Sequence, residues 1–260
     1  MAATPEALAD SSPADSCFAA DWPAPARVRS LLTTRSGGFS CGPWAGFNLA
    51  SHVGDDPAAV AANWERLAAL LPSAPCWLEQ VHGVEVVEWS AAPVPGAVPP
   101  RADAAFTRVQ GVVCAVLTAD CLPLLLCDDA GSVVAAVHAG WRGLCAGVIE
   151  RTVAAMGCPP ARLHAYLGPA IGAASFEVGN EVRAAFLAVD PAASTAFVPL
   201  VPGKWLADLA ALARQRLAAL GVLSISGGEQ CTLRDAQRFY SYRRDGVCGR
   251  MASLVWLTAD

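Results

Sequence analysis

The sequence predicts an α+β fold with mixed sheets, on three observations. Segments of helical and strand periodicity are interleaved, neighbouring strand-like runs are joined by tight turns, and no regular strand–helix–strand repeat appears. Apolar residues make up 54% of the 260 positions and charged ones only 16%, enough for a sizeable core with helices outside the sheets. A β-rich run at 28–34 comes first. Asp55-Asp56-Pro57 then offers a cap and a proline at the first turn, and a helix follows over 58–71 with Trp64, Leu67 and Leu71 on one stripe. Strands are expected at 84–89, 104–107, 112–117, 122–127 and 133–137, with Asp128-Asp129-Ala130-Gly131 as a strong turn between the last two. A second helix should run over 143–156, stopped by Gly157 and Pro159. After a strand at 163–167, a third helix begins near Gly179 and carries Val182, Phe186 and Val189 on one face. The clearest helix places Trp205, Leu209, Leu212, Leu217 and Leu220 together and ends at Gly221. Strands at 222–226 and 252–257 complete the series.

Residues 1–26, rich in Ala, Pro, Ser and Asp, read as a disordered arm, and 27–260 as one domain without internal repeat or linker. The arm lacks the basic start and apolar stretch of a signal peptide. The longest apolar stretch, 111–127, is interrupted by Asp120 and Pro123, so no membrane span or membrane partner is expected and the chain is placed in the cytoplasm. A net charge of -5 and a single lysine, Lys204, argue against a nucleic-acid partner. The ten cysteines are scattered without a CxxC pair, and most read as small buried hydrophobes in a reducing compartment.

Three side chains carry the chemistry: His82 in Gln80-Val81-His82-Gly83, Cys121 in Thr118-Ala119-Asp120-Cys121, and His138 in Val137-His138-Ala139-Gly140-Trp141-Arg142-Gly143. Each sits where an apolar run meets Gly, Asp or Arg, which is where a sheet delivers a side chain to a pocket. Two imidazoles and a thiolate make a three-ligand site for Zn²⁺, or for copper, with one position open. The same Cys121 and His138 could instead pair as nucleophile and base. Inert packing is the bland reading of a cysteine, but Cys121 between Asp120 and a proline-containing strand is an interrupted place for packing. The hairpin-sized interval to His138 brings the two together only if the strand register cooperates.

Two loops stand beside these motifs. Thr33-Thr34-Arg35-Ser36-Gly37-Gly38 and the stretch from Asn48 to His52 read either as an anion-holding turn with polar groups facing a pocket or as locally bonded loop. The aromatic and arginine residues of 239–250 would suit a phosphate and a stacked base, or an exposed loop pinned by Arg–Asp pairs.

Taken together, these pieces resemble the YfiH-type laccase-domain family, also called multicopper polyphenol oxidoreductase-like or purine nucleoside phosphorylase-like. Ala102-Asp103-Ala104, Gly168-Pro169-Ala170-Ile171-Gly172 and Ser241-Tyr242-Arg243-Arg244 complete a match from about Arg27 to Leu257, with no departure at the ligand positions. The resemblance implies a layered α/β/β/α sandwich, the CNF/YfiH-like fold, with a metal held by His82, Cys121 and His138. It implies phosphorolysis of adenosine, inosine and methylthioadenosine and deamination of adenosine. It also raises a cysteine-type amidase editing peptidoglycan precursors, and a copper-dependent polyphenol oxidase. A multicopper site needs many imidazoles, and the chain has four histidines. A zinc nucleoside enzyme therefore fits best, with a purine nucleoside and phosphate as partners and the chain acting as a monomer. On that reading Cys121, His138, Arg35 and Asp120 are catalytic. Arg35 and Arg142 hold phosphate, Asn48 and His52 orient ribose or base, and Asp120 supports the metal ligands or carries a proton.

Overall fold

A computed structural model of the chain describes residues 16–259. In chain order the elements are β1 (Cys17–Phe18), β2 (Val28–Thr33), α1 (Pro57–Ala68), β3 (Pro75–Cys76), β4 (Val86–Trp89), β5 (Ala104–Thr107) and β6 (Val113–Thr118). Then come β7 (Leu122–Asp128), β8 (Val134–Ala139), α2 (Trp141–Ala146), α3 (Val148–Met156), β9 (Leu163–Leu167), β10 (Glu177–Gly179) and α4 (Asn180–Val189). The last are β11 (Phe197–Val201), β12 (Lys204–Ala207), α5 (Leu209–Leu220), β13 (Ser224–Gly227), α6 (Tyr242–Asp245) and β14 (Met251–Leu257).

The strands form a five-stranded sheet, β1-β2-β14-β6-β3, a six-stranded sheet, β13-β9-β7-β8-β5-β4, and a small sheet, β10-β12-β11. Side chains alternate across a strand, and this alternation builds the layers. Leu125 and Cys127 of β7, with Val134 and Ala136 of β8, face Cys114, Val116, Val255 and Leu257 of the five-stranded sheet, forming a core between the two sheets. The other face of β7 and β8 (Leu122, Leu124, Leu126, Ala135, Val137) packs on Leu144, Ile149, Phe186 and Leu212 of α2 to α5. The outer face of the five-stranded sheet packs Val113, Ala115 and Leu254 on Leu67 of α1 and on Phe47 and Leu49. The order from outside to outside is thus helix, sheet, sheet, helix, and both large sheets mix parallel and antiparallel pairs.

Four expectations need correction. The helix expected over 143–156 is two, α2 and α3, because Gly147 adopts φ 99 and both closes the first and opens the second. Trp205 lies on β12 rather than on the helix that follows; Asp208 caps that helix by accepting from Ala211 N at 2.9 Å, so it starts at Leu209. Val189 ends α4 and is exposed, leaving Val182 and Phe186 as its buried face. Of the arm expected over 1–26, residues 1–15 lie outside the described residues, while Cys17 and Phe18 pair with Thr33 and Leu32 of β2. The small sheet escaped the sequence reading, although apolar runs on either side of Pro202-Gly203 carry a hairpin signal.

Candidate metal centre

The chain passes from the five-stranded to the six-stranded sheet between β6 and β7, and the step between them is Ala119-Asp120-Cys121. The β7–β8 register pairs Leu122 with Ala139 and Pro123 with His138, which sets Cys121 beside Gly140. Strand alternation places His138 on the same inter-sheet face as Val134 and Ala136. A Cβ at Gly140 would stand 2.9 Å from His82 Cδ2 and 3.1 Å from Cys121 Sγ, so glycine there leaves the space in which the three side chains meet.

His82 arrives from the loop after β3. Gln80 pins this loop to β6 through two bonds, Nε2 donating to Leu117 O at 2.8 Å and Leu117 N donating to Oε1 at 2.7 Å. Asp103, fully buried, accepts from the backbone N–H groups of Val81 (3.2 Å), His82 (2.9 Å) and Gly83 (2.6 Å). Its Oδ1 also lies 2.7 Å from His138 Nδ1. One carboxylate therefore positions both histidines, and it leaves His138 Nε2 facing the cluster, as an orienting carboxylate does behind a metal-ligating imidazole. His82 and Asp120 are the only non-glycine residues at positive φ among the described residues, at 59° and 88°. Backbone strain of this kind gathers at sites held by their surroundings.

The candidate ligand atoms of His82, Cys121 and His138 lie within 4.8 Å of one another, with His82 Nε2 3.7 Å from Cys121 Sγ. The Zn–S and Zn–N bond lengths of a tetrahedral site imply an N–S edge of about 3.6 Å, which the His82–Cys121 distance matches. The N₂S donor set also suits copper. Burial by itself would push the Cys121 thiol up, but the charge and hydrogen bond of His138, with His82 alongside, bring it down to about 6. Burial disfavours the His138 imidazolium, yet Cys121 and Asp103 raise it above the usual imidazole range. Asp103 is opposed by its own burial but held below the usual carboxylate range by His138 and the loop N–H groups.

A cavity of about 760 Å³ opens above the cluster, walled by Leu49, Trp64, Trp77, Leu78, Leu117 and Tyr242, with Ser51, His52, Glu79, Gln80, Thr118 and Arg250 as its other polar groups. Of the sequence-predicted site residues it gathers His82, Cys121, His138 and His52. Four others are placed in the framework and do not line it. Arg35 donates to the carbonyls of Ala236 (3.2 Å) and Ala45 (3.4 Å) and lies over the Tyr240 ring. Asn48 is fully buried; its amide donates to Ala50 O and Asp55 Oδ2 and accepts from Ala50 N and Arg250 N. Arg142 projects from α2 over Trp141. Asp120 turns its carboxylate away to accept from Thr232 Oγ1 (2.6 Å), Ser241 Oγ (3.0 Å) and Arg243 N (2.7 Å), fastening the C-terminal loops to the Cys121 step. Sequence reasoning gave no role to Asp103 or Gln80. Their short-range signal is weak, since their partners lie 20 to 37 positions away.

The chain matches the family model described as multi-copper polyphenol oxidoreductase laccase over residues 29–258. It belongs to this family. The purine nucleoside phosphorylase PA4543 of Pseudomonas aeruginosa is 55% identical to it, covering 91% of this chain and 96% of that relative. The purine nucleoside phosphorylase YfiH of Escherichia coli is 52% identical with the same coverage. Among solved structures, Neisseria meningitidis protein NMB0706 is 49% identical with a TM-score of 0.89, covering 94% of this chain and all of that one. YlmD of Geobacillus stearothermophilus is 29% identical with a TM-score of 0.86, covering 95% of this chain and 98% of that one. The family fold is therefore the mixed α+β arrangement described above.

Proposed function

We propose that this chain is a metal-dependent purine nucleoside enzyme, acting as a monomer, that phosphorolyses adenosine, inosine and methylthioadenosine and deaminates adenosine. The convergence of His82, Cys121 and His138 at one wall of an aromatic-lined cavity carries this reading, and the relatives named purine nucleoside phosphorylase support it. Zinc is the ion that the donor set and the open side of the cluster fit best, with copper second. An ion there would supply Lewis acidity and acidify water, the chemistry that deamination requires. The chain's own residues do the rest. Asp103 holds His138 through Nδ1 and leaves Nε2 turned to the cluster, where a bound ion would take the place of the Nε2 proton. Trp64, Trp77 and Tyr242 offer flat apolar faces to a purine. His52, held below the usual imidazole range by burial and by the charge of Arg250, faces the substrate as a neutral ring with one donor and one acceptor.

The test is to measure metal content of the purified chain, then supply adenosine with and without phosphate and follow adenine, ribose-1-phosphate, hypoxanthine and ammonia. Cys121→Ser should abolish both bound metal and activity. Full turnover by a Cys121→Ser protein would sink the reading.

The Asp103–His138–Cys121 sequence of contacts favours a second reading, a cysteine-type amidase acting on peptidoglycan precursors. There the Cys121 thiolate attacks an acyl carbon, the amine leaves with a proton from His138, and water releases the acyl group from its thioester. A thioester trapped on Cys121 in metal-free protein would select this alternative.

A further inference from the structure

The geometry points to Arg250, with His52 beside it in the cavity wall, as the subsite that takes inorganic phosphate; this inference rests on the phosphorolytic reading above. Phosphorolysis needs an oxyanion held next to the nucleoside. A phosphate oxygen forms a bond to C1′, the C1′–N9 bond breaks, and its electron pair leaves on the purine, which gains a proton. Something cationic must hold the attacking anion in place. Among the described residues, Arg250 is the one guanidinium lining the cavity that contains the three candidate metal ligands. Arg35 is committed to two main-chain carbonyls and Arg142 lies on α2 outside the cavity.

Arg250 is built into its place from several sides. Its N–H donates to Asn48 Oδ1 at 2.9 Å, and its carbonyl accepts from Leu49 N at 3.3 Å. Nη1 donates to Cys248 O at 2.8 Å and to Gly249 O at 3.0 Å, and the group lies 5.7 Å from the centre of the Tyr242 ring. All of its side-chain hydrogen bonds to described residues leave from Nη1. The Nε and Nη2 edge, which matches two oxygens of a phosphate, is not used by them. Gly249 is part of the same construction: a Cβ there would come within 2.6 Å of Tyr240 Cζ and 2.8 Å of Asn48 Cβ. Asn48 thus serves as the support of the anion-binding arginine, which accounts for a fully buried asparagine this close to a cavity.

The test uses the full chain and two probes, inorganic phosphate and adenosine monophosphate, with binding read calorimetrically and turnover read separately. Wild-type protein should bind inorganic phosphate. Arg250→Met should weaken that binding, and raise KM for phosphate, at least tenfold, with metal content and KM for adenosine unmoved. Arg250→Lys should fall between the two, and Arg142→Met should match wild type. Phosphate binding unchanged in Arg250→Met, or lost in Arg142→Met, overturns the assignment. Arg250-dependent binding of adenosine monophosphate without any binding of inorganic phosphate also overturns it, since the site would then belong to a nucleotide. Arg250-dependent phosphate binding in a protein without phosphorolysis would retain the subsite and remove the reaction. Phosphorolysis with an unaltered phosphate KM in Arg250→Met would do the reverse.

Discussion

Both oxygens of Asp103 are engaged, by three loop N–H groups and by His138 Nδ1. Asparagine keeps the shape but turns one acceptor into a donor, which must then face a backbone N–H or the imidazole. Asp103→Asn should therefore weaken metal binding about 10–100-fold, read by competition with a chromophoric chelator, with secondary structure retained; an unchanged affinity would deny Asp103 its positioning role. Cys121 supplies the pH dependence. A thiol reacts as its thiolate, the thiolate forms as pH rises, and an adjacent imidazolium favours it at lower pH. In chelator-stripped protein, alkylation of Cys121 should reach half its maximal rate near pH 6, the value to which His138 and His82 bring it against burial. His138→Ala leaves burial opposed only by His82, so the midpoint should move upward, toward or past the ordinary thiol value; a midpoint that stays put would remove the pairing.

Glycines close two elements, one at the site and one behind it, and each makes a different demand. Gly140 lies at the end of β8, where a methyl group would contact both His82 and Cys121, so Gly140→Ala should cost metal affinity while leaving the fold intact. Gly147 separates α2 from α3 at φ 99, and Gly147→Ala should destabilise by about 1–2 kcal/mol, measured as a lower urea midpoint without loss of bound metal. These glycines also show what the sequence made legible. The strands from 104 to 139 and the turn at 128–131 were readable because alternation and turn chemistry are local. The helix break at Gly147 was not, since 143–156 keeps its apolar spacing across it. Likewise, the approach of Cys121 to His138 rested on their places at strand ends and on the β7–β8 register, whereas His82 comes in on the loop between β3 and β4, held by Asp103 and Gln80. The failure of Arg35, Arg142 and Asn48 to reach the cavity depends on long-range contacts, Arg35 to Ala236 and Asn48 to Arg250, that no local pattern encodes.

Across the whole molecule the candidate ion would join two sheets. His82 comes from the loop that Gln80 fastens to β6 of the five-stranded sheet, His138 lies in the six-stranded sheet, and Cys121 is on the step between them. The core shared by the sheets carries much of the stability. Leu125→Ala, fully buried at its centre, should cost about 2–5 kcal/mol. Because the ligands span that core, metal binding should report on global unfolding rather than on a local loop. An ion bound to the native state at 100 times its Kd adds about 2.7 kcal/mol, which for a chain of this size raises Tm by roughly 5–10 °C. Chelation should therefore lower the Tm of the wild-type chain and zinc should restore it. Cys121→Ser should melt at one temperature with or without zinc. A wild-type melting curve indifferent to chelation and to added zinc would mean that His82, Cys121 and His138 hold no ion in the native state, and the cluster would then have to be explained by the Cys121–His138 pair alone.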